Sequence, residues 1–161
     1  MRSVIKQRRI VEDRWQHLAD DADLPAGPVI VSLARWQRER KTLLERGDPV
    51  GVRLPNTANV ADLAGDLPVL DVVALEFPKF ADGRAYSQAR LLRERHGYRG
   101  EIRAVGDVLR DQLFFMARSG FDAFEVRADR SLEDALAAFD EFTVSYQPAA
   151  DQPQPLYRRA R

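Results

Sequence analysis

At 161 residues, 45% hydrophobic and 31% charged, the chain is sized and composed for one globular domain with a sizeable core. Lys plus Arg and Asp plus Glu number 25 each, so the formal net charge is zero and exerts no overall pull toward nucleic acid or an anionic membrane. The absence of cysteine excludes disulfides, a thiolate nucleophile and cysteine-ligated iron–sulfur clusters.

The N-terminal stretch MRSVIKQRRIVEDRW is basic, but no apolar run follows it, so no secretory signal is expected. No apolar stretch approaches membrane-spanning length, and the cytoplasm is the expected compartment. Residues 1–24 read as an N-terminal arm. Val4-Ile5-Lys6 and Arg9-Ile10-Val11 suit a small hairpin turning at Gln7-Arg8, with Trp15 and Leu18 pinning it to the body. Trp15 and His17 read first as an anchoring aromatic and a surface histidine; a partner or ligand contact is the sharper alternative.

A single α/β domain is expected over residues 25–146. Pro25 to Pro28 is a turn, Val29 to Leu33 a strand, and Ala34 to Glu45 a helix with Gly47 just past its end. The cluster Arg35, Arg38, Arg40 and Lys41 reads as a solvated helix face, since Glu39 and Glu45 interleave with it. Val50 to Leu54 is the second strand, followed by a loop at Pro55-Asn56-Thr57 and a short helix over Ala58 to Leu63. Leu67 to Leu75 leads into a third strand, which Phe77-Pro78 stops. Asp82-Gly83 marks a turn. Ala85, Ala89 and Leu92 then recur at helical spacing, with Arg90 and Glu94 able to pair on the wet side. Ile102 to Val105 is the fourth strand, and Asp107 is placed to N-cap a helix from Val108 to Ser119. Phe121 to Val126 is the fifth strand. Ser131 and Asp134 resemble a capping pair for a last helix reaching about Val144. Residues 147–161, Pro/Gln-rich with a basic end, read as a disordered tail.

Five strand–helix pairs joined by short links predict a five-stranded parallel sheet in a flavodoxin-like three-layer sandwich, with a curled partial (βα) barrel as the alternative. In either, ligands bind outside the carboxyl ends of the strands. The residues there are Ser32 and Arg35; Asn56 and Thr57; Glu76, Lys79, Asp82, Arg84, Tyr86 and Ser87; Asp107, Arg110 and Asp111; and Arg127, Asp129 and Arg130. Arginine forks match phosphate and sulfate geometry, so Arg84, Arg110 and Arg127 are placed to clamp an oxyanion. The candidates for ligand or partner contact are Lys79, Asp82, Arg84, Tyr86, Asp107 and Arg110. The plainer reading makes Asp107 an N-cap and pairs Arg84 and Arg110 with Asp82, Asp107 or Asp111 in salt bridges. Nothing in the spacing of Glu76, Asp82 and Asp107 requires Mg²⁺, and no metal is expected.

No GxGxxG or P-loop occurs, and His17 and His96 stand without metal-ligand spacing or a triad. The strand ends resemble those of receiver domains only loosely. Glu76 and Arg127 stand near the positions where a phosphoacceptor Asp and a Lys would be needed, which argues against phosphotransfer signalling.

Residues 76–124 carry the blocks EFPKF-DGR-YS-ARLLR and G-RAVGDVLRDQL. This segment resembles the core of a bacterial family of unknown function encoded beside assimilatory sulfite reductase and labelled an oxidoreductase involved in sulfite reduction. The matching residues include Glu76, Phe77, Pro78, Lys79, Phe80, Asp82, Gly83, Arg84, Tyr86, Ser87, Arg90, Arg93, Gly106, Asp107, Arg110, Asp111, Gln112, Gly120, Phe121 and Asp122. The resemblance implies an accessory role in sulfur assimilation, with sulfite reductase or its electron donor as partner and Lys79, Phe80, Arg84, Tyr86 and Arg110 as the contact. The chain offers no thiol, nucleotide fingerprint or cluster ligand, so no resident cofactor is expected and a redox centre would be borrowed. The alternatives are a small enzyme or binding protein for an anionic metabolite at the same rim, and a purely structural interaction domain.

Overall fold

The computed structural model describes residues 2–78, 83–108, 110–126 and 131–141. Eight strands form one sheet: β1 (Ser3–Lys6), β2 (Arg9–Glu12), β3 (Gln16–His17), β4 (Val29–Ser32), β5 (Val50–Leu54), β6 (Val72–Phe77), β7 (Glu101–Gly106) and β8 (Ala123–Phe124). The helices are α1 (Leu33–Glu45), α2 (Arg84–Arg90), α3 (Leu113–Ser119) and α4 (Leu132–Glu141). The strand order is β2-β1-β8-β7-β6-β5-β4-β3. From β3 to β8 every neighbour is parallel and the order follows the chain, whereas β1 runs antiparallel to both β2 and β8.

This corrects the flavodoxin-like expectation. A doubly wound sheet reverses its winding direction midway and covers both faces with helices. Here the order never reverses, and one face receives all four helices. Val31, Val52, Leu54, Val73, Leu75, Ile102, Ala104 and Phe124 share a core with Trp36, Leu43, Ala89, Leu92, Leu113, Met116, Ala135 and Phe139. The alternate residues Ile30, Val72, Ala74 and Val105 point the other way and meet Trp15.

The sheet is a curled half-barrel, and its connectivity requires the curl. Its two edge strands, β2 and β3, are separated in sequence only by Asp13, Arg14 and Trp15. Seven inter-strand steps would carry the edges of a flat sheet about 34 Å apart, at about 4.8 Å each. Four Cα–Cα steps reach at most about 15 Å. The curl of the partial-barrel alternative is therefore present, but its all-parallel make-up is not.

The expected hairpin forms, and it belongs to the sheet: β1 supplies the strand beside β8. Gln7 and Arg8 both take positive φ (52° and 62°), the two-residue turn whose twist matches a hairpin. Helix α1 starts where Ser32 Oγ accepts from the Arg35 N–H at 3.1 Å. The segment read as a short helix at Ala58 to Leu63 is a 3-10 stretch, Val60–Val69. Asp107 is not the N-cap of α3: a 3-10 turn, Arg110–Gln112, intervenes, and α3 begins only at Leu113, with Gln112 at its N-cap position. Ser131 does cap α4, accepting from the Asp134 N–H at 3.1 Å. The tail expected over 147–161 lies outside the described residues. No described helix is long and apolar enough to cross a membrane.

Candidate functional site

Curling gives the sheet an inner face on which no described helix packs, and the strands put charge on it. Arg53 of β5, Glu76 of β6, Glu101 and Arg103 of β7, and Glu125 just after β8 occupy inward positions, alternating with apolar outward ones. At the base, Arg103 is 1% exposed. Its Nε donates to Glu101 at 2.7 Å, and its Nη1 donates to Glu125 at 2.8 Å and to the Asp13 carboxylate at 3.0 and 3.1 Å. Burial alone would lower its pKa; Glu101, Glu125 and Asp13 reverse that and hold it above the ordinary arginine range. Asp13 also accepts from Arg2 at 2.5 Å and from the Trp15 N–H at 3.1 Å. It thus clips the short link between the edge strands onto β7. Lys6 Nζ lies 2.9 Å from Glu101 Oε1, an approach off the hydrogen-bonding direction that leaves this buried oxygen without a hydrogen bond.

From Glu125 the chain of contacts climbs toward solvent. Glu125 Oε2 accepts from His17 Nε2–H at 2.7 Å, across five strand positions that only the curl can close. On the other side of the imidazole, Arg53 Nη1 stands 3.1 Å from His17 Nδ1. A guanidinium N–H can only donate. In this contact Nδ1 is therefore the acceptor, and Nε2 carries the proton donated to Glu125. Arg53 Nε also lies 3.2 Å from Glu76. Burial would raise the Glu125 carboxyl; the hydrogen bonds from His17 and Arg103, with the Arg103 charge, outweigh it and hold it at about 2. Side chains are more exposed toward the outside of the series, from 1% at Arg103 to 19% at Glu125, 23% at His17, 22% at Arg53 and 40% at Glu76. Arg103 is thus scaffold, and the outer groups are the ones a ligand can meet.

Those outer groups line a cleft of about 470 Å³ with Leu18, Ala19, Phe77, Pro78, Val105 and Gly106. The cleft sits at the carboxyl ends of β3, β5, β6, β7 and β8, where strand-end loops build sites in barrel-like folds. Gly106 is required at its floor: its φ is +93°, and a Cβ there would lie 2.5 Å from the Phe77 carbonyl oxygen. Among the described residues, no group of three or more His, Asp or Glu stands where it could hold a metal ion.

The sequence-derived candidates fall elsewhere or outside the described residues. Lys79 and Asp82 lie outside them, with Phe80, Arg127, Asp129 and Arg130. Arg84 is exposed at the start of α2. Tyr86 packs edge-on against Phe77, with ring centroids 5.3 Å apart, and donates to Gln112 at 3.3 Å, on the helix side of the sheet. Asp107 follows β7, its N–H donating to the Phe77 carbonyl at 2.8 Å. Arg110 opens the 3-10 turn before α3, and its side chain is outside the described set. None of the four described positions is among the cleft's described lining; of the wider rim, Glu76 is.

Arg53, Glu125, Arg103 and Asp13 were not selected from sequence, and His17 was weighed as a ligand contact but read first as a surface histidine. A signal was present: Glu101-Ile102-Arg103-Ala104 and Val52-Arg53-Leu54 alternate charge with apolar residues, which a sheet covered on both faces cannot bury. Parts of the resembling block are framework. Arg93 donates to the Gly120, Tyr98 and Gly100 carbonyls at 2.9, 2.9 and 2.8 Å, and Asp122 accepts from the Ile102 N–H at 2.8 Å.

No curated protein matches the chain. A family model described as a bacterial protein of unknown function, DUF934, matches residues 51–157, which include all of β5 but its first residue, β6 to β8, and three of the four cleft-lining charged or titratable residues, Arg53, Glu76 and Glu125. With that match spanning most of its length, the chain belongs to the DUF934 family of bacterial proteins.

Proposed function

We propose that this protein is an accessory component of assimilatory sulfite reduction, binding or assisting the reductase or its electron donor through the mouth of its half-barrel. The sulfur assignment rests on the resemblance of residues 76–124, a block lying wholly inside the family match. The observation that carries the choice of surface is the cleft at the carboxyl ends of the strands, where Arg53, His17 and Glu76 from three strands converge with Glu125 just after β8. The test is growth of a strain deleted for the gene on sulfite as sole sulfur source. Wild type restores growth, Arg53→Ala does not, and cysteine rescues every strain. An Arg84→Ala arm assays the outer rim separately. Normal growth of the deletion strain on sulfite overturns the sulfur reading.

Arg53 favours a second reading, a binding protein or small enzyme for an anionic metabolite. Its guanidinium stands in the cleft paired with Glu76 at 3.2 Å, and an oxyanion can enter by replacing that carboxylate. Sulfite, sulfate, adenylyl sulfate, flavin mononucleotide and a phosphate ester at millimolar concentration are the ligands to screen. A ligand at a hundredfold excess over its dissociation constant adds about 2.7 kcal/mol, or roughly 5–10 °C in melting temperature for a domain of this size. No shift with any of them overturns this reading.

A further inference from the structure

We infer that the cleft takes a small oxyanion on Arg53 and takes up a proton on His17 Nδ1 as it does so. This rests on the anionic-ligand reading of the site and adds a proton to it. Arg53 engages two groups at once: its Nε is ion-paired with Glu76 at 3.2 Å, and its Nη1 stands 3.1 Å from the His17 Nδ1 lone pair. An incoming oxyanion that engages the guanidinium fork draws both donors onto itself. Nδ1 then loses its hydrogen-bond donor and faces the anion with a lone pair, a repulsive arrangement in a site only partly open to water. Protonating Nδ1 removes the repulsion and adds a second charged donor to the anion. The proton comes from solvent, and no bond other than N–H forms.

The surroundings of His17 favour that state. Glu125 already accepts from Nε2 at 2.7 Å, so an imidazolium finds its counter-charge in place. Glu125 is itself fixed by Arg103 at 2.8 Å, and Arg103 by Asp13 and Glu101. Among the described residues, the charged groups around the imidazole are thus Arg53 from β5, Glu76 beyond it on β6, Arg103 from β7 and Glu125 after β8, with Asp13 behind Arg103. Glu125 stays ionised across the range where histidine titrates, being held at about 2. Arg53 turning to a ligand removes from Nδ1 the cation that stands directly against a charge on His17.

The test is calorimetric titration of the full chain with sulfate, which remains a dianion throughout, at several values between about pH 5 and pH 8. Buffers of different ionisation enthalpy count the protons taken up. The expected result is an affinity that rises as pH falls, approaching about tenfold per pH unit, with up to one proton bound per sulfate. His17→Gln flattens the profile, Glu76→Gln keeps the slope, and Arg53→Ala abolishes binding, each variant being checked for a cooperative melt. Sulfate binding that is independent of pH in the wild type overturns the proton coupling and leaves the anion site standing. Binding that survives Arg53→Ala overturns the assignment of the receptor. No binding of sulfate at any pH overturns the inference; a thermal shift with the other anions then shows whether the anionic-ligand reading falls with it.

Discussion

Replacing Arg103 with methionine keeps most of the length of the side chain and deletes the cation that Asp13, Glu101 and Glu125 share. All three carboxylates are 19% exposed or less at the side chain, and Arg103 is 1% exposed, so water replaces little of what is lost. Removing one partner of a buried ion pair costs about 3–5 kcal/mol, because the charges left behind have no comparable solvation. That is a large share of the roughly 5–15 kcal/mol a domain possesses, and corresponds to a fall of about 6–20 °C in melting temperature. Urea unfolding followed by the fluorescence of Trp15 and Trp36 measures it. The pH dependence has a definite sign. In the wild type the Glu125 carboxyl is depressed from the ordinary 4.5 to about 2, so its contribution is complete above 4.5 and is lost as pH falls toward 2. In Arg103→Met that depression is relaxed and less is lost in acid. The deficit of the variant is therefore greatest near neutrality and narrows as pH falls. A variant within about 1 kcal/mol of wild type at neutral pH, or a deficit that widens in acid, refutes the reasoning.

Three further substitutions probe the frame around the cleft. Tyr98→Phe removes a buried hydroxyl that donates to the Leu70 carbonyl at 2.8 Å; it costs about 1–2 kcal/mol in chemical denaturation, because the carbonyl is left without a partner. Gly106→Ala places a methyl 2.5 Å from the Phe77 carbonyl oxygen at a φ of +93°, costing about 1–3 kcal/mol and weakening any ligand binding measured by thermal shift. Gln7→Asn stabilises, raising the urea midpoint by the equivalent of roughly 0.5–1 kcal/mol, since asparagine tolerates the left-handed conformation that Gln7 adopts at a φ of 52°.

How much of this was legible in the sequence depended on the range of the forces involved. The β5 strand, the β1–β2 hairpin and the Ser131 cap follow from local patterns, and all three form as read. Strand order does not follow from local patterns. Parallel βα units look alike whether successive crossovers reverse or continue, so alternation alone left the flavodoxin-like sheet and the curled sheet open. What separates them is the second face of each strand, where Arg53, Glu76, Glu101 and Arg103 sit at inward positions. The site inherited the same difficulty. Expecting ligands at the carboxyl ends of the strands led to Glu76, which lines the cleft. His17 was named only as an alternative ligand contact; its meeting with Glu125 was out of reach, because it joins residues 108 positions apart and depends on the closure of the sheet. Asp107 looked like a cap from spacing alone; the 3-10 turn at Arg110–Gln112 displaces the helix start beyond its reach.

The cleft exists only if the sheet curls enough to set β3 against the end of β8, and a double-mutant cycle between His17 and Glu125 tests that directly. His17→Gln, Glu125→Gln and the double variant are unfolded in urea at neutral pH. The 2.7 Å hydrogen bond to a carboxylate predicts a coupling of about 1–3 kcal/mol. Additivity within about 0.5 kcal/mol would mean the two side chains do not meet, and would contradict both the curl and the site built on it.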